Sequence, residues 1–328
     1  MDWSRWAREW SWFGRYSLLL AGRYLLALGV IYILAKGLPG TYVDYLRFHG
    51  AVLEERTEAF HVISLRRLLQ LDLGDSFVTG KPVIDLLRYH IPATIELSAL
   101  AFALAVGVSL VVGLLVWRLN LLGNVITNIA TLAVGIPSFV TASLIILIVA
   151  PLGTLPLGGR TSVGISYEPA TGFLLLDSAL NRNWPLFWDG LSHLVLPGLA
   201  VALAPSLFLS AIAIQQIRSI AQSDFIRTAT AKGLPWQRVF FLHLLRNVVA
   251  SLTPLLGLLM ASILGGSIVI ESTLDFPGVG AALSLAVQYR DTPVILGLVL
   301  VTGTFYFLAF SMADITQRLL DPRIRGEE

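Results

Sequence analysis

Five histidines, His49, His61, His90, His193 and His243, are the side chains here best suited to metal binding or general-base work, and their spacing supports neither. No two are separated as in a His-Glu-x-x-His helix, and no Gly-x-Ser-x-Gly elbow offers a nucleophile. Each falls in an expected loop or near an interface, where a solvated or capping role is the default. With no cysteine, this chain forms no disulfide or thiolate metal site and does no thiol catalysis. No Gly-x-x-x-x-Gly-Lys-Ser/Thr loop is present to cradle phosphate; Gly80-Lys81-Pro82 and Lys232-Gly233 lack the preceding glycines and the following hydroxyl. The chain is therefore expected to have no catalytic residue, no metal, no cofactor of its own and no nucleotide hydrolysis.

The informative residues are Asp224, Phe225, Arg227, Thr228, Ala229, Lys232, Gly233 and Leu234, in a polar segment set between two long apolar runs. Ser223 or Asp224 can cap a helix, Phe225 to Lys232 supply about two turns, and Gly233 ends them in the left-handed conformation that lacks a Cβ clash. Pro235 suits the start of the next helix. The expected object is a short helix, a sharp turn and a second helix running into the membrane. Such a segment is either a solvated connection or a surface where a partner docks.

The elements that position it are membrane helices. Of 328 residues, 55% are hydrophobic and 13% charged, with a mean hydropathy of +0.75; soluble domains carry about 25% charged residues. Continuous apolar runs give an all-α integral membrane protein with about six spans, at 17–37, 93–117, 125–151, 194–216, 245–270 and 293–314. Arg23 falls in the first window, so that helix is expected to begin later, the alternative being a snorkelling guanidinium. Residues 38–92 form an extracytoplasmic helical loop subdomain, 93–318 the transmembrane core with the 217–246 loop, and 319–328 a tail.

Residues 1–16 do not read as a cleavable signal. Trp3, Trp6, Trp10 and Phe13 recur at helical spacing among arginines, which describes an amphipathic helix against membrane lipid. Basic residues beside the spans place both termini in the cytoplasm of a multi-pass protein of a prokaryotic inner membrane. The same bias accounts for the net charge of +2 and pI near 9.0 without nucleic acid. Ser138, Thr141, Ser262, Ser267 and Glu271 are candidates to line a translocation path, and packing hydrogen bonds explain them equally. Glu96 and Asp314 lie near span ends, which argues against the competing reading, a stand-alone ion-driven secondary transporter.

The segment from Asp224-Phe225 through Arg227-Thr228-Ala229-Thr230-Ala231-Lys232-Gly233-Leu234, with His243-Leu244-Leu245-Arg246-Asn247 after it, resembles the EAA coupling loop of permease subunits of ATP-binding cassette importers. The resemblance is to the dipeptide, oligopeptide and nickel permease family. Leu71-Asp72-Leu73-Gly74-Asp75-Ser76, Pro92-Ala93-Thr94-Ile95-Glu96-Leu97, His193-Leu194-Val195-Leu196-Pro197, Phe276-Pro277-Gly278-Val279-Gly280 and Arg290-Asp291-Thr292-Pro293 are similar to further stretches of that family, in order. The resemblance implies a MetI-like, type I fold and transport of a peptide-like solute. It also implies four kinds of partner: a second homologous permease, two ATPase subunits holding ATP and Mg2+, an extracytoplasmic solute-binding protein, and lipid. Departures include Arg227 where the wider pattern begins with Glu, and Ala211, Ile214, Gln215 and Gln216 where arginines are common.

Overall fold

The computed structural model describes residues 72–118, 135–165 and 170–320, with positions 19, 21–26, 29–30, 33 and 128 besides. The expected interfacial helix 1–16, most of the first span, residues 38–71 of the loop, most of 125–134 and residues 321–328 lie outside the described residues. Leu19 and residues 21–26 are helical, so Arg23 sits inside helical backbone with an exposed side chain. The expected later start is thus not what is found. An exposed guanidinium on a long stem can reach the polar interface without ending its helix.

In chain order the helices are α1 (Val83–Arg118), α2 (Ser138–Val149), α3 (Leu174–Leu180), α4 (Trp184–Ala221), α5 (Asp224–Ala231), α6 (Trp236–Thr273), α7 (Val279–Gln288) and α8 (Thr292–Leu320). Besides these and the helical positions 19, 21–26, 29–30, 33 and 128, the described residues include a 3-10 turn at Ala150–Leu152 and an isolated bridge, Asp75 to Pro82. Among the described residues four helices are long and apolar enough to cross a membrane: Val83–Trp117, Trp184–Ala221, Trp236–Thr273 and Thr292–Thr316. These correspond to the second, fourth, fifth and sixth expected spans.

Three of them begin nine or ten residues before the expected edge, and each extension has a local cause. In α1, Val83 and Leu87 are fully buried one turn apart, so the helix starts at Val83 and runs through Pro92, shortening the loop expected to end at 92. At α4 the Asn183 side chain accepts a hydrogen bond from the Leu186 amide at 3.2 Å, with Pro185 in the first turn. In α6 the extension is seated by Val239, Phe240 and Leu244, all buried.

The chain divides into two compact units, residues 1–87 with 283–311 and residues 88–282 with 312–328. In the first, Asp291 is buried and closes a clasp: the Ser76 hydroxyl donates to Oδ2 at 2.5 Å and the Phe77 amide to Oδ1 at 3.0 Å. Two motifs 215 residues apart meet in one carboxylate.

In the second unit α4 is the central rod, packed by α2, α3 and α6. Its Leu194, Leu196, Leu209 and Ile214 are essentially buried. Close approach depends on glycine. A Cβ on Gly190 would sit 2.5 Å from Leu174, and one on Gly113 2.8 Å from Ile217. Small residues at helix crossings are what packing in lipid requires, since no hydrophobic force there draws helices together.

Candidate functional site

α4 turns into α5 through two residues. Gln222 closes α4 with its amide on the Arg218 carbonyl, and Ser223 is extended at φ −68°, ψ 150°. The Ser223 hydroxyl does not cap α5 as expected. It donates back to the Ile220 carbonyl at 2.6 Å, which ties the corner to α4. Asp224 then supplies the negative charge that the first turn of a helix favours.

The far end is a full Schellman closure. The Gly233 amide donates to Thr230 at 3.0 Å and the Leu234 amide to Ala229 at 3.3 Å, with Gly233 at φ +74°. A Cβ there meets nothing within 4 Å, so the glycine is required by backbone conformation rather than by space. Pro235 occupies the cap position of α6. Both ends of α5 are thus short, hydrogen-bonded corners.

The two faces of α5 differ in chemistry. Ile226 and Ala229, three residues apart, are buried against α4 and the start of α6. Asp224, Phe225, Arg227, Thr228, Lys232 and Gly233 are exposed, and Leu234 is half-buried. Ala229 therefore serves the seat of the helix and not its outer face. Arg227 and Asp224 approach to 3.9 Å on that face, a contact between exposed groups that contributes little stability. The Thr228 hydroxyl is taken by the Asp224 carbonyl at 2.8 Å.

Beneath α5 the first turns of α6 are unusual. Val239–Leu245 forms a π-helical stretch that carries His243, and the Asn247 side chain donates to the His243 carbonyl at 2.6 Å. Trp236 stacks edge-on against Trp117 of α1 (5.6 Å between centroids) and Phe240 (4.8 Å). An aromatic block thus braces the corner between α5 and α6. π-Helical turns recur at functional positions in helices.

The pathway candidates whose side chains are described differ in exposure. Thr141, Ser267 and Glu271 are buried in this chain, Ser262 is exposed, and the Ser138 side chain lies outside the described residues. Glu271 has a structural role: it accepts from the Thr94 hydroxyl at 2.8 Å and the Gly280 amide at 2.6 Å. Thr94 in turn accepts from the Val279 amide at 2.7 Å. This network holds the Phe276–Gly280 turn against α1, and Gly278 is required, because a Cβ would meet the Glu271 carboxyl at 2.3 Å.

Other residues emerge only in the structure. Arg160 pairs with Glu96 at 2.7 Å, both buried, and also donates to the Gly172 carbonyl. Leu175 donates its amide to the same carboxylate. Asp177 accepts from the Ala170, Thr171 and Gly172 amides and the Thr171 hydroxyl. Burial pushes the Asp177 carboxyl up, but these donors, Thr171 foremost, outweigh it and hold the group below its usual range. The one available signal was chemical: a glutamate inside an apolar helix, Glu96, needs a partner. Neither spacing nor composition names Arg160.

His193 departs from the solvated role expected of it. It is buried in α4, donates from Nδ1 to the Gly158 carbonyl at 2.9 Å, and lies 3.3 Å from the Ser162 hydroxyl, which donates to Asp189. His90 lies within α1 and donates from Nδ1 to the Pro277 carbonyl at 3.1 Å. His243 is also helical. His49 and His61 lie outside the described residues. Among the described residues no three His, Asp or Glu side chains gather as metal ligands.

Residues 86–326 match the family described as binding-protein-dependent transport system inner membrane component. The chain is 35% identical to the probable D,D-dipeptide transport system permease protein DdpB of Escherichia coli (strain K12), over 77% of this chain and 76% of that protein. It is 32% identical to the dipeptide transport system permease protein DppB of Alkalihalophilus pseudofirmus, over 84% and 85% of the two chains. The di/tripeptide transport system permease protein DppB of Pseudomonas aeruginosa is 31% identical, over 79% and 78%. With its membrane-length helices and α5 seated between two of them, the chain belongs to this family of binding-protein-dependent inner membrane components, as a transport permease subunit.

Proposed function

We propose that this chain is one of two homologous permease subunits of an importer for dipeptide-like solutes, and that α5 is the handle gripped by a separate ATPase subunit. The observation that carries the reading is the two-faced build of α5. Ile226 and Ala229 lock it to α4 and α6, while Asp224, Phe225, Arg227 and Lys232 stand outward between two tight corners. A helix held in this way passes rigid-body motion to the spans on either side of it. ATP and Mg2+ belong to the two ATPase subunits, and this chain brings no ATPase motif. The dipeptide and di/tripeptide names of the relatives support the cargo class.

Basic residues beside the spans support cytoplasmic termini, with residues 1–16 and 319–328 on that side. The loop that begins at 38 then faces outward, where a solute-binding protein delivers cargo. Ser262 is exposed on α6, which supports a position facing a second permease. Thr141, Ser267 and Glu271 reach a pathway only in a conformation in which their helices part.

The test is Gly233→Asp in the reconstituted complex. The left-handed backbone at Gly233 disfavours a side chain, and the added charge faces the ATPase. Uptake and substrate-stimulated ATP hydrolysis in proteoliposomes are expected to vanish while insertion of the chain is unchanged. Normal uptake by that mutant overturns the assignment of α5.

A further inference from the structure

α3 is built inside out for a helix in water. Its buried face carries Leu174, Asp177 (2% exposed) and Ser178, whereas Leu176 and Leu180 (69% exposed) point away from the protein. α4 opens with two more exposed apolar side chains, Trp184 and Trp188 (63% exposed), one turn apart. Asn181, Arg182 and Asn183, all exposed, separate the two helices.

We infer that Leu176, Leu180, Trp184 and Trp188 form a lipid-anchoring surface, seated at the headgroup layer of the leaflet opposite α5. Two observations select lipid as the occupant. First, Trp184 and Trp188 stand on α4, which is long and apolar enough to cross the membrane. Between Asp189 and Arg218 that helix carries no Asp, Glu, Lys or Arg, a stretch of about 42 Å at 1.5 Å per residue. The hydrocarbon core takes about 30 Å of this, which leaves about 6 Å at each end, so Asp189 lies at headgroup level, with Trp188 and then Trp184 just beyond it on the side of α3. Second, the residue types suit that layer. Indole rings concentrate at headgroup level, and Arg182, exposed beside them, suits lipid phosphate.

The anchor has a mechanical purpose. α3 is fixed to α1 through Glu96, which accepts from Leu175 and pairs with Arg160. It is fixed to α4 by Leu174 against Gly190. An apolar strip held in the leaflet gives the outward end of α4 a fixed footing while α5 is pushed at the other end. This inference concerns lipid contact and does not depend on which solute is carried.

The natural absence of cysteine makes the test direct. Leu176→Cys, Leu180→Cys and Trp188→Cys would each carry one nitroxide label. The full transporter, with partner subunits freed of cysteine, is placed in nanodiscs of phosphatidylethanolamine and phosphatidylglycerol, and labelled variants that retain uptake are taken forward. The expected result is an oxygen-to-nickel-chelate collision ratio several-fold above that of the same label in buffer, at all three positions. Collision dominated by the water-soluble nickel chelate overturns the inference in favour of a solvated face. Low collision with both reagents overturns it in favour of a protein cover, a second permease or a binding protein. The three positions are independent, so loss of one variant to misfolding leaves the other two to decide.

Discussion

Near the start of α4, Glu96, Asp177 and Asp189 each accept hydrogen bonds from within the chain, and Arg160 is sealed against Glu96. Past its other end, Asp224 and Arg227 are exposed and meet at only 3.9 Å. Both regions are short connections rich in polar groups, yet only the first buries charges and pairs them within the chain. A buried charge is tolerated only when paired and hydrogen-bonded, so the first end holds its shape by itself. The second spends its apolar residues, Ile226 and Ala229, on seating α5 and leaves its charges outward. The difference separates an end whose polar groups are paired within the chain from one whose charges face outward, as the proposed grip of an ATPase subunit on α5 requires.

Substitutions separate the two ends by what they change. The largest expected effect is at Gly280, where a Cβ would lie 2.2 Å from the Ile268 backbone and 2.9 Å from Glu271. Gly280→Val forces a branched side chain into the Ile268 backbone, which cannot turn aside, and is expected to abolish folding, read as loss of monodisperse protein in size-exclusion chromatography. Next is Arg160→Met, which strands Glu96 and should cost about 3–5 kcal/mol as a fall in melting temperature. Adding Glu96→Leu should restore most of it. No fall in the single mutant would mean that the pair is not a fastening.

A smaller, local effect is expected from Asp177→Asn, read by hydrogen exchange at residues 170–173. Because its folded pKa lies below the usual 3.8, ionised Asp177 stabilises this turn fully above that value, and the contribution is lost as pH falls through the depressed folded value. Wild-type protection of these amides should therefore fall on acidification, while in Asp177→Asn it should be low at every pH. At the other end, Arg227→Glu should leave the melting temperature unchanged and reduce ATPase-coupled uptake. A stability loss there without an uptake defect would erase the contrast between the two ends.

α5 was legible in sequence because its signals are local: Ser223 or Asp224 at its start, about two turns of polar helix, and Gly233 where only a positive φ closes the helix, whereas the burial of Ile226 and Ala229 came from the structure. The span interiors were legible for the same reason, since hydropathy over twenty residues reports a property of neighbours. Helix starts were less so. Val83, Leu87 and Phe240 extend their helices into less apolar sequence through contacts with distant residues, and windowed hydropathy does not register such contacts.

By itself, then, the sequence determined that the chain crosses a membrane as helices and that a short polar helix closed by glycine stands between two spans. Backbone satisfaction in lipid and the conformational freedom of glycine leave few alternatives. Tertiary structure alone decided which polar groups work together: Arg160 with Glu96, Thr94 with Glu271 and Ser76 with Asp291, separated by 64, 177 and 215 residues. Such pairings follow from where the helices cross and how closely glycine lets them approach, and the fold sets that geometry at positions remote in the chain.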